Sequence, residues 1–157
     1  MAGLLTDEDH RQIGAIVQRY PQKQAALLMV LHYVQGRFGY LSQESIQAVA
    51  DELELTAAKV RGVATFYTMY NLAPVGKYHI QVCTNLSCSL MGSETVMDHL
   101  KRRLGIGVGE TTEDGRFTLS EVECLASCGT APMMQINDDY YENLTPEKVD
   151  EILGSLP

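Results

Sequence analysis

Four cysteines, Cys83, Cys88, Cys124 and Cys128, fall in two tight pairs separated by 35 residues. Within the pairs the gaps are four residues, Cys83-Thr-Asn-Leu-Ser-Cys88, and three, Cys124-Leu-Ala-Ser-Cys128. Each pair can chelate from a single loop, so a fold need only bring two loops together. Four thiolates suit either a tetrahedral zinc or an iron–sulfur cluster. Structural zinc favours C-x2-C knuckles, and both gaps here are looser. A [2Fe–2S] cluster has two irons, each needing two thiolates, which matches a two-plus-two layout. The plant-type ferredoxin spacing C-x4-C-x2-C is absent, and only its first gap is shared. A thioredoxin-type Cys-x-x-Cys dithiol is also absent. Disulfides or unrelated buried thiols are the remaining readings, although nothing else suggests secretion, and thiols in a reducing compartment more often bind metal or do chemistry. Spacing alone leaves zinc and iron–sulfur both open.

The residues around the pairs predict the elements that position them. Tyr78, Ile80 and Val82 alternate with His79 and Gln81, a strand pattern ending at Cys83. A loop is expected to carry Cys88, and Ser89 or Ser93 to open a helix with Val96, Leu100 and Leu104 on one face. That would place Cys88 just before a helix, where free backbone N–H groups can donate to sulfur. His99 on this helix is expected to face solvent. Gly105 to Gly115 is turn-rich. The run Gly105-Ile-Gly-Val-Gly109 follows a helix and not a strand, so it reads as a loop and not a nucleotide cradle. Phe117 and Leu119 alternate as a strand, and the slip to Val122 predicts a bulge or bend before Cys124. Residues 131–136 read as another strand, with Met133 and Met134 as core and edge residues. Asn137-Asp138 reads as a turn, and residues 139–142 as the returning strand. Thr145 and Pro146 are a cap and first position for a final helix that buries Val149, Ile152 and Leu153. Both cysteine pairs follow strand ends, so both can meet at one edge of a sheet.

Upstream, the pattern is helical. Thr6 or Asp7 can cap a short helix with Ile13, Ile16 and Val17 on one face, ended by Pro21. A stronger helix is expected from about Lys23 to Arg37, with Leu27, Val30, Leu31 and Val34 recurring at helical spacing and Gly39 as terminator. Ser42 caps a third, with Ile46, Val49, Ala50 and Leu53 inward, and Thr56 a fourth, with Val60, Val63 and Ala64 inward. These four make a small bundle. Phe66, Tyr67 and Tyr70 are read chiefly as its core. His10 and His32 have no second ligand at a metal-like spacing, so they read as surface or core histidines.

The chain has 157 residues, 45% of them hydrophobic, enough for a core; its net charge is −8 and its pI about 4.9. That charge argues against nucleic-acid binding. It would also lower the reduction potential of an anionic cluster. No apolar run approaches the length of a membrane span. The stretch Thr6-Asp-Glu-Asp9 is neither a secretory signal nor a transit peptide, so a soluble chain in a reducing compartment is expected, without direct membrane insertion.

The stretches Gly76-Lys-Tyr-His-Ile-Gln-Val-Cys-Thr-Asn-Leu-Ser-Cys88 and Phe117-Thr-Leu-Ser-Glu-Val-Glu-Cys-Leu-Ala-Ser-Cys-Gly-Thr-Ala-Pro132 closely resemble one family, the thioredoxin-like [2Fe–2S] subunit of respiratory NADH:quinone oxidoreductase (complex I). Relatives of that family serve NAD-linked hydrogenases and formate dehydrogenases. The resemblance continues in Val63-Ala-Thr-Phe-Tyr67, Pro74-Val-Gly76 and Ile136-Asn-Asp-Asp-Tyr-Tyr-Glu142, and spans nearly the whole chain from about Tyr20. It implies an α+β chain: a helical bundle over residues 1–74 and a thioredoxin-like [2Fe–2S] domain over 75–157. It implies one [2Fe–2S] cluster, with Cys83 and Cys88 on one iron and Cys124 and Cys128 on the other. It further implies that FMN and the NAD(H) site belong to a larger partner subunit, with further iron–sulfur subunits beyond. The chain would then be part of an enzyme without being catalytic alone, peripheral on the cytoplasmic side of the inner membrane (the matrix side if mitochondrial). An NAD-linked hydrogenase or formate dehydrogenase is the alternative host, and a zinc-stabilised interaction module the alternative from another class. One departure is visible: the family usually has glycine after Cys-Leu in the second pair, and here it is Ala126. If that position needs positive φ, alanine carries strain; if it needs only a small side chain, alanine fits.

Overall fold

Four helices come first in the computed structural model, which describes residues 4–157. Helix α1 (Asp7–Val17) starts in a capping box: Thr6 accepts from the Asp9 amide, and the Asp9 carboxylate accepts from the Thr6 amide. Helix α2 (Leu27–Phe38) ends at Gly39, whose φ of 83° is the left-handed geometry of a helix stop. Ser42 caps α3 (Gln43–Leu53) and Thr56 caps α4 (Ala57–Phe66) through their hydroxyls. The inward faces of all four bury one another in a single core that includes Ile13, Leu31, Val34, Leu53 and Val60.

Two expectations for this region need correction. Lys23–Ala26 is a 3-10 turn that leads into α2 and not its first α-helical turn. The aromatic group also splits. Tyr70 is buried, 6% exposed, with its hydroxyl donating to the Leu28 carbonyl at 2.7 Å. Phe66 and Tyr67 are 77% and 37% exposed, because α4 ends at Phe66 and the backbone turns extended at Tyr67.

The chain divides into two compact units between Pro74 and Val75. The second unit is built on a four-stranded sheet in the order β2-β1-β3-β4. Strand β1 (Tyr78–Cys83) leads through the short helix α5 (Leu86–Leu90) and α6 (Ser93–Leu104) to β2 (Phe117–Val122). This crossover makes β1 and β2 parallel, in register from Tyr78 opposite Phe117 to Cys83 opposite Val122. Strands β3 (Met134–Ile136) and β4 (Asp139–Tyr141) form an antiparallel hairpin on the other side of β1. Helix α7 (Pro146–Ser155) closes the unit, with the Thr145 hydroxyl as cap and Pro146 in its first turn.

Because side chains alternate across a strand, the sheet has two unlike faces. Tyr78, Ile80, Val82, Phe117, Leu119, Met134 and Ile136 pack against Val96, Met97 and Leu100 of α6 and Val149, Ile152 and Leu153 of α7. The opposite face carries His79, Gln81, Thr118, Ser120 and Gln135, with His79 Nε2 and Ser120 Oγ 2.8 Å apart. This face turns apolar only at its end, where Cys83, Val122 and Met133 are buried. The slip at Val122 is therefore a change of face without a bulge, and the chain bends just after it, at Glu123, before Cys124. β2 keeps one-to-one register with β1 through Val122, which looks away from Leu119 because three positions separate them. Gly76 allows the chain to enter β1 close to β2, since a Cβ there would stand 2.9 Å from the carbonyl carbon of Phe117. No described helix is long and apolar enough to cross a membrane.

Candidate metal centre

Parallel pairing decides where the thiols go. β1 and β2 run the same way, so the loops that leave them start from the same end of the sheet. Cys83 is the last residue of β1, and Cys124 lies two residues beyond β2. Cys88 sits inside α5 and not ahead of a helix as the sequence suggests, because Asn85 caps that short helix at Leu86. Cys128 opens a 3-10 turn, Cys128–Thr130. Cys83 and Cys88 are buried and form a small cluster with Ala131 and Met133, against which Leu125 packs; Cys124 and Cys128 are exposed.

Backbone amides do surround the sulfurs, from positions other than the start of a helix after Cys88. Those of Asn85 and Leu125 stand near enough to the Cys83 sulfur, and that of Met133 near enough to the Cys88 sulfur, to favour the thiolate. The Ala126 amide donates to Cys124 Sγ at 3.3 Å. Cys83 and Cys88 lie in one buried cluster, and their proximity splits their acidities. Burial raises the Cys83 thiol, but the two amides and the Cys88 thiol outweigh it, so its pKa ends below that of an ordinary cysteine. Burial and the neighbouring Cys83 push the Cys88 thiol up. The nearby amide N–H groups thus favour the thiolate form at Cys83. The Leu125 amide also ties the second cysteine loop to the sulfur of the first.

Residues after the hairpin brace the second loop. Tyr140 donates its hydroxyl to the Leu125 carbonyl at 3.0 Å. The Ser127 and Thr130 hydroxyls both donate to the Glu142 carboxylate, and hold its pKa below the usual carboxylate value. Ala126 has φ of 60°, in the left-handed region. The sequence pointed to Ala126 only through its departure from a family pattern. Glu142 entered only as the last residue of the resembling stretch 136–142, with nothing in the sequence to tie it to the loop.

The donor set fits a four-thiolate cluster: two thiols per loop, both loops leaving one end of the sheet, amides directed at three of the sulfurs, and an apolar floor of Ala131 and Met133. Among the described residues, no three Cys, His, Asp or Glu side chains already stand together as a compact metal-binding group. The structure brings Cys83 and Cys88 into contact, places Cys128 close enough to influence Cys88, and leaves Cys124 facing outward.

The sequence profile of the thioredoxin-like [2Fe-2S] ferredoxin family matches residues 13–157. The chain belongs to that family. This thioredoxin-like ferredoxin is similar to an NADH-quinone oxidoreductase subunit of Mycobacterium tuberculosis (strain ATCC 25618 / H37Rv), at 46% identity over 141 residues, 90% of this chain and 56% of the relative. It is 49% identical over 141 residues to the subunit of the same name from Rickettsia felis, covering 88% of this chain and 84% of that one. The chain thus spans only about half the length of the mycobacterial relatives it matches. Among solved structures, an NAD+-reducing [NiFe]-hydrogenase in the air-oxidized state shares the fold, with a TM-score of 0.71 and 21% identity over 82% of this chain and 22% of that chain.

Proposed function

We propose that this ferredoxin is the [2Fe–2S] electron-transfer subunit of an NADH:quinone oxidoreductase. The observation that carries the reading is the placement of two cysteine pairs at the shared end of parallel strands β1 and β2, in a chain of this family. Cys83 and Cys88 would hold one iron, and Cys124 and Cys128 the other. A bound [2Fe–2S] cluster supplies reversible one-electron transfer. The chain's own part is to supply thiolates, to direct the Asn85, Leu125, Met133 and Ala126 amides at sulfur, and to keep water from the inner pair by burial. Hydrogen bonds to sulfur favour the more negative, reduced state.

The names of relatives at 46–49% identity favour a quinone-reducing host over a hydrogenase or a formate dehydrogenase. In that host the subunit would lie beside a partner that binds FMN and NADH and would exchange electrons with its flavin, further iron–sulfur subunits following. It would be peripheral, on the cytoplasmic side of the inner membrane. We also assign the two compact units separate roles, cluster holding to Val75–Pro157 and docking to the helices before it.

Anaerobic purification of the full chain, with iron, sulfide and visible absorption measured, tests the ligand set. Two irons and two sulfides per chain and a red-brown colour are expected. Replacing any one of Cys83, Cys88, Cys124 or Cys128 by alanine should abolish or greatly weaken loading. A colourless, zinc-loaded chain would overturn the reading in favour of an interaction module. A variant with two irons and an unchanged spectrum would remove that cysteine from the set. Co-purification of the chain from its native host tests the assembly, with an FMN-bearing, NADH-oxidising partner expected.

A further inference from the structure

The outer cysteine pair lies on a loop without strand pairing of its own, between β2 and β3. Its order has to come from elsewhere, and one short stretch supplies most of it. Tyr140 in β4 donates its hydroxyl to the Leu125 carbonyl at 3.0 Å. The Asn143 amide donates to the Thr130 carbonyl at 2.7 Å, and the Leu144 amide to the Pro132 carbonyl at 3.0 Å. Between them Glu142 offers its carboxylate to two loop hydroxyls at once, Ser127 Oγ and, at 2.7 Å, Thr130 Oγ1. Those hydroxyls lie 2.8 Å from each other and flank Cys128 in sequence, one position before it and two after. Glu142 is itself fixed: β4 pairs with β3 up to Tyr141, and Lys148 Nζ donates to the Glu142 carbonyl at 2.6 Å. Among the described residues its carboxylate forms no ion pair, and both loop hydroxyls meet the same oxygen, Oε1.

We propose that Glu142 is a positioning residue for the cluster: by gripping Ser127 and Thr130 it fixes the turn that presents Cys128, so the stretch 140–144 is a brace for the second ligand pair. This rests on reading the four cysteines as ligands. Outer-shell partners of metal ligands change metal retention by about 10–100-fold when removed.

The test uses the full chain, wild type and three variants. Glu142→Ala removes the grip. Glu142→Gln keeps an acceptor oxygen for the hydroxyls. Asp150→Ala breaks the contacts of α7 to His99 at 3.1 Å and Arg103 at 3.2 Å on α6, and so weakens the same unit without touching the loop. Iron and sulfide content, the rate of bleaching by a strong iron chelator, the EPR line shape of the reduced cluster and the melting temperature are measured for each. Glu142→Ala should bleach about tenfold faster, with altered EPR anisotropy. Glu142→Gln should stay within about threefold of wild type, and Asp150→Ala should bleach at the wild-type rate even where its melting temperature falls. If Glu142→Ala does not fold, the Ser127→Ala/Thr130→Val pair removes the same bonds from the other side and should bleach as fast. Wild-type bleaching and line shape in these loop variants would overturn the brace, as would Asp150→Ala bleaching as fast as they do. A wild-type chain without iron would overturn the ligand reading and the brace together. Normal iron loading with equal bleaching in all variants would overturn the brace alone.

Discussion

Ala126 shows what one side chain costs and what it secures. Its φ of 60° belongs to a region that an L-residue with a Cβ occupies at a cost of about 1–2 kcal/mol. The same turn brings its amide to Cys124 Sγ at 3.3 Å, so the strain is tied to a sulfur hydrogen bond. Ala126→Gly should relieve the strain and keep the bond. After subtraction of the greater freedom glycine has when unfolded, a gain of about 1 kcal/mol is expected, read from the denaturant midpoint of the loaded chain. A loss of stability would mean that the left-handed turn is not what the loop requires. The sequence marked this position without deciding it, because an alanine does not announce its φ. The four thiols, by contrast, stood out at once, since type and spacing alone restrict the chemistry they can do. The donors to their sulfurs were not: Leu125 and Met133 contribute backbone amides, which any residue carries.

Local chemistry set the elements that could be read in advance. Thr6, Ser42, Thr56 and Thr145 all cap helices, because a cap is a bond between neighbours in sequence. Helix α5 could not be read, being too short for a hydrophobic period and held by the Asn85 cap. Before Cys124 the bend was legible and the absence of a bulge was not, because a side chain that crosses to the other face at Val122 resembles a break in alternation. Helix α1 carries the sharpest element-scale prediction. Asp9 is 1% exposed, and its carboxylate accepts from the Thr6 amide and hydroxyl, from Tyr33 and from Arg37. The Thr6 bonds foremost, then Tyr33 and Arg37, hold its pKa well below the ordinary 3.8, against burial, which opposes them. A depressed folded pKa means that the unfolded chain binds more protons, so this contribution is complete above the ordinary value of 3.8 and is lost progressively as pH falls below it. Asp9→Ala should cost the helical unit about 1–3 kcal/mol at neutral pH. It should also flatten the acid limb of its stability curve, measured by circular dichroism between about pH 5 and pH 2. An unchanged acid limb would remove Asp9 as its source.

At the scale of the molecule, the order of strands and helices was legible but the pairing was not. A strand, a helix, two or three strands and a helix suit several sheets, and only resemblance selected a thioredoxin-like one; that β1 runs parallel to β2 came from the structure. The change from helical to alternating period near Pro74 was visible, and the chain divides into compact units at Pro74–Val75. Each unit has a core of its own, with Leu31, Val34 and Leu53 in the first and Ile80, Leu119 and Ile136 in the second. All four cysteines, their amide donors and the residues that brace the second loop lie in the second unit. A fragment Val75–Pro157 is therefore expected to load two irons and two sulfides with a wild-type spectrum, ligation adding folding energy to a core that is small for independent stability. The helical unit exposes Phe66, Tyr67 and Met69 near its C-terminal end and, among the described residues, holds no cluster of metal-ligating side chains. Its removal should weaken capture of the flavin-bearing partner while leaving the cluster in place. Spectrum and partner capture, assayed separately on the fragment and on the full chain, decide between the possible divisions. A loaded fragment that no longer captures the partner supports separate roles. Full capture by the fragment would move docking to the ferredoxin unit, and a fragment without iron would make the helices part of the folding unit that holds the cluster.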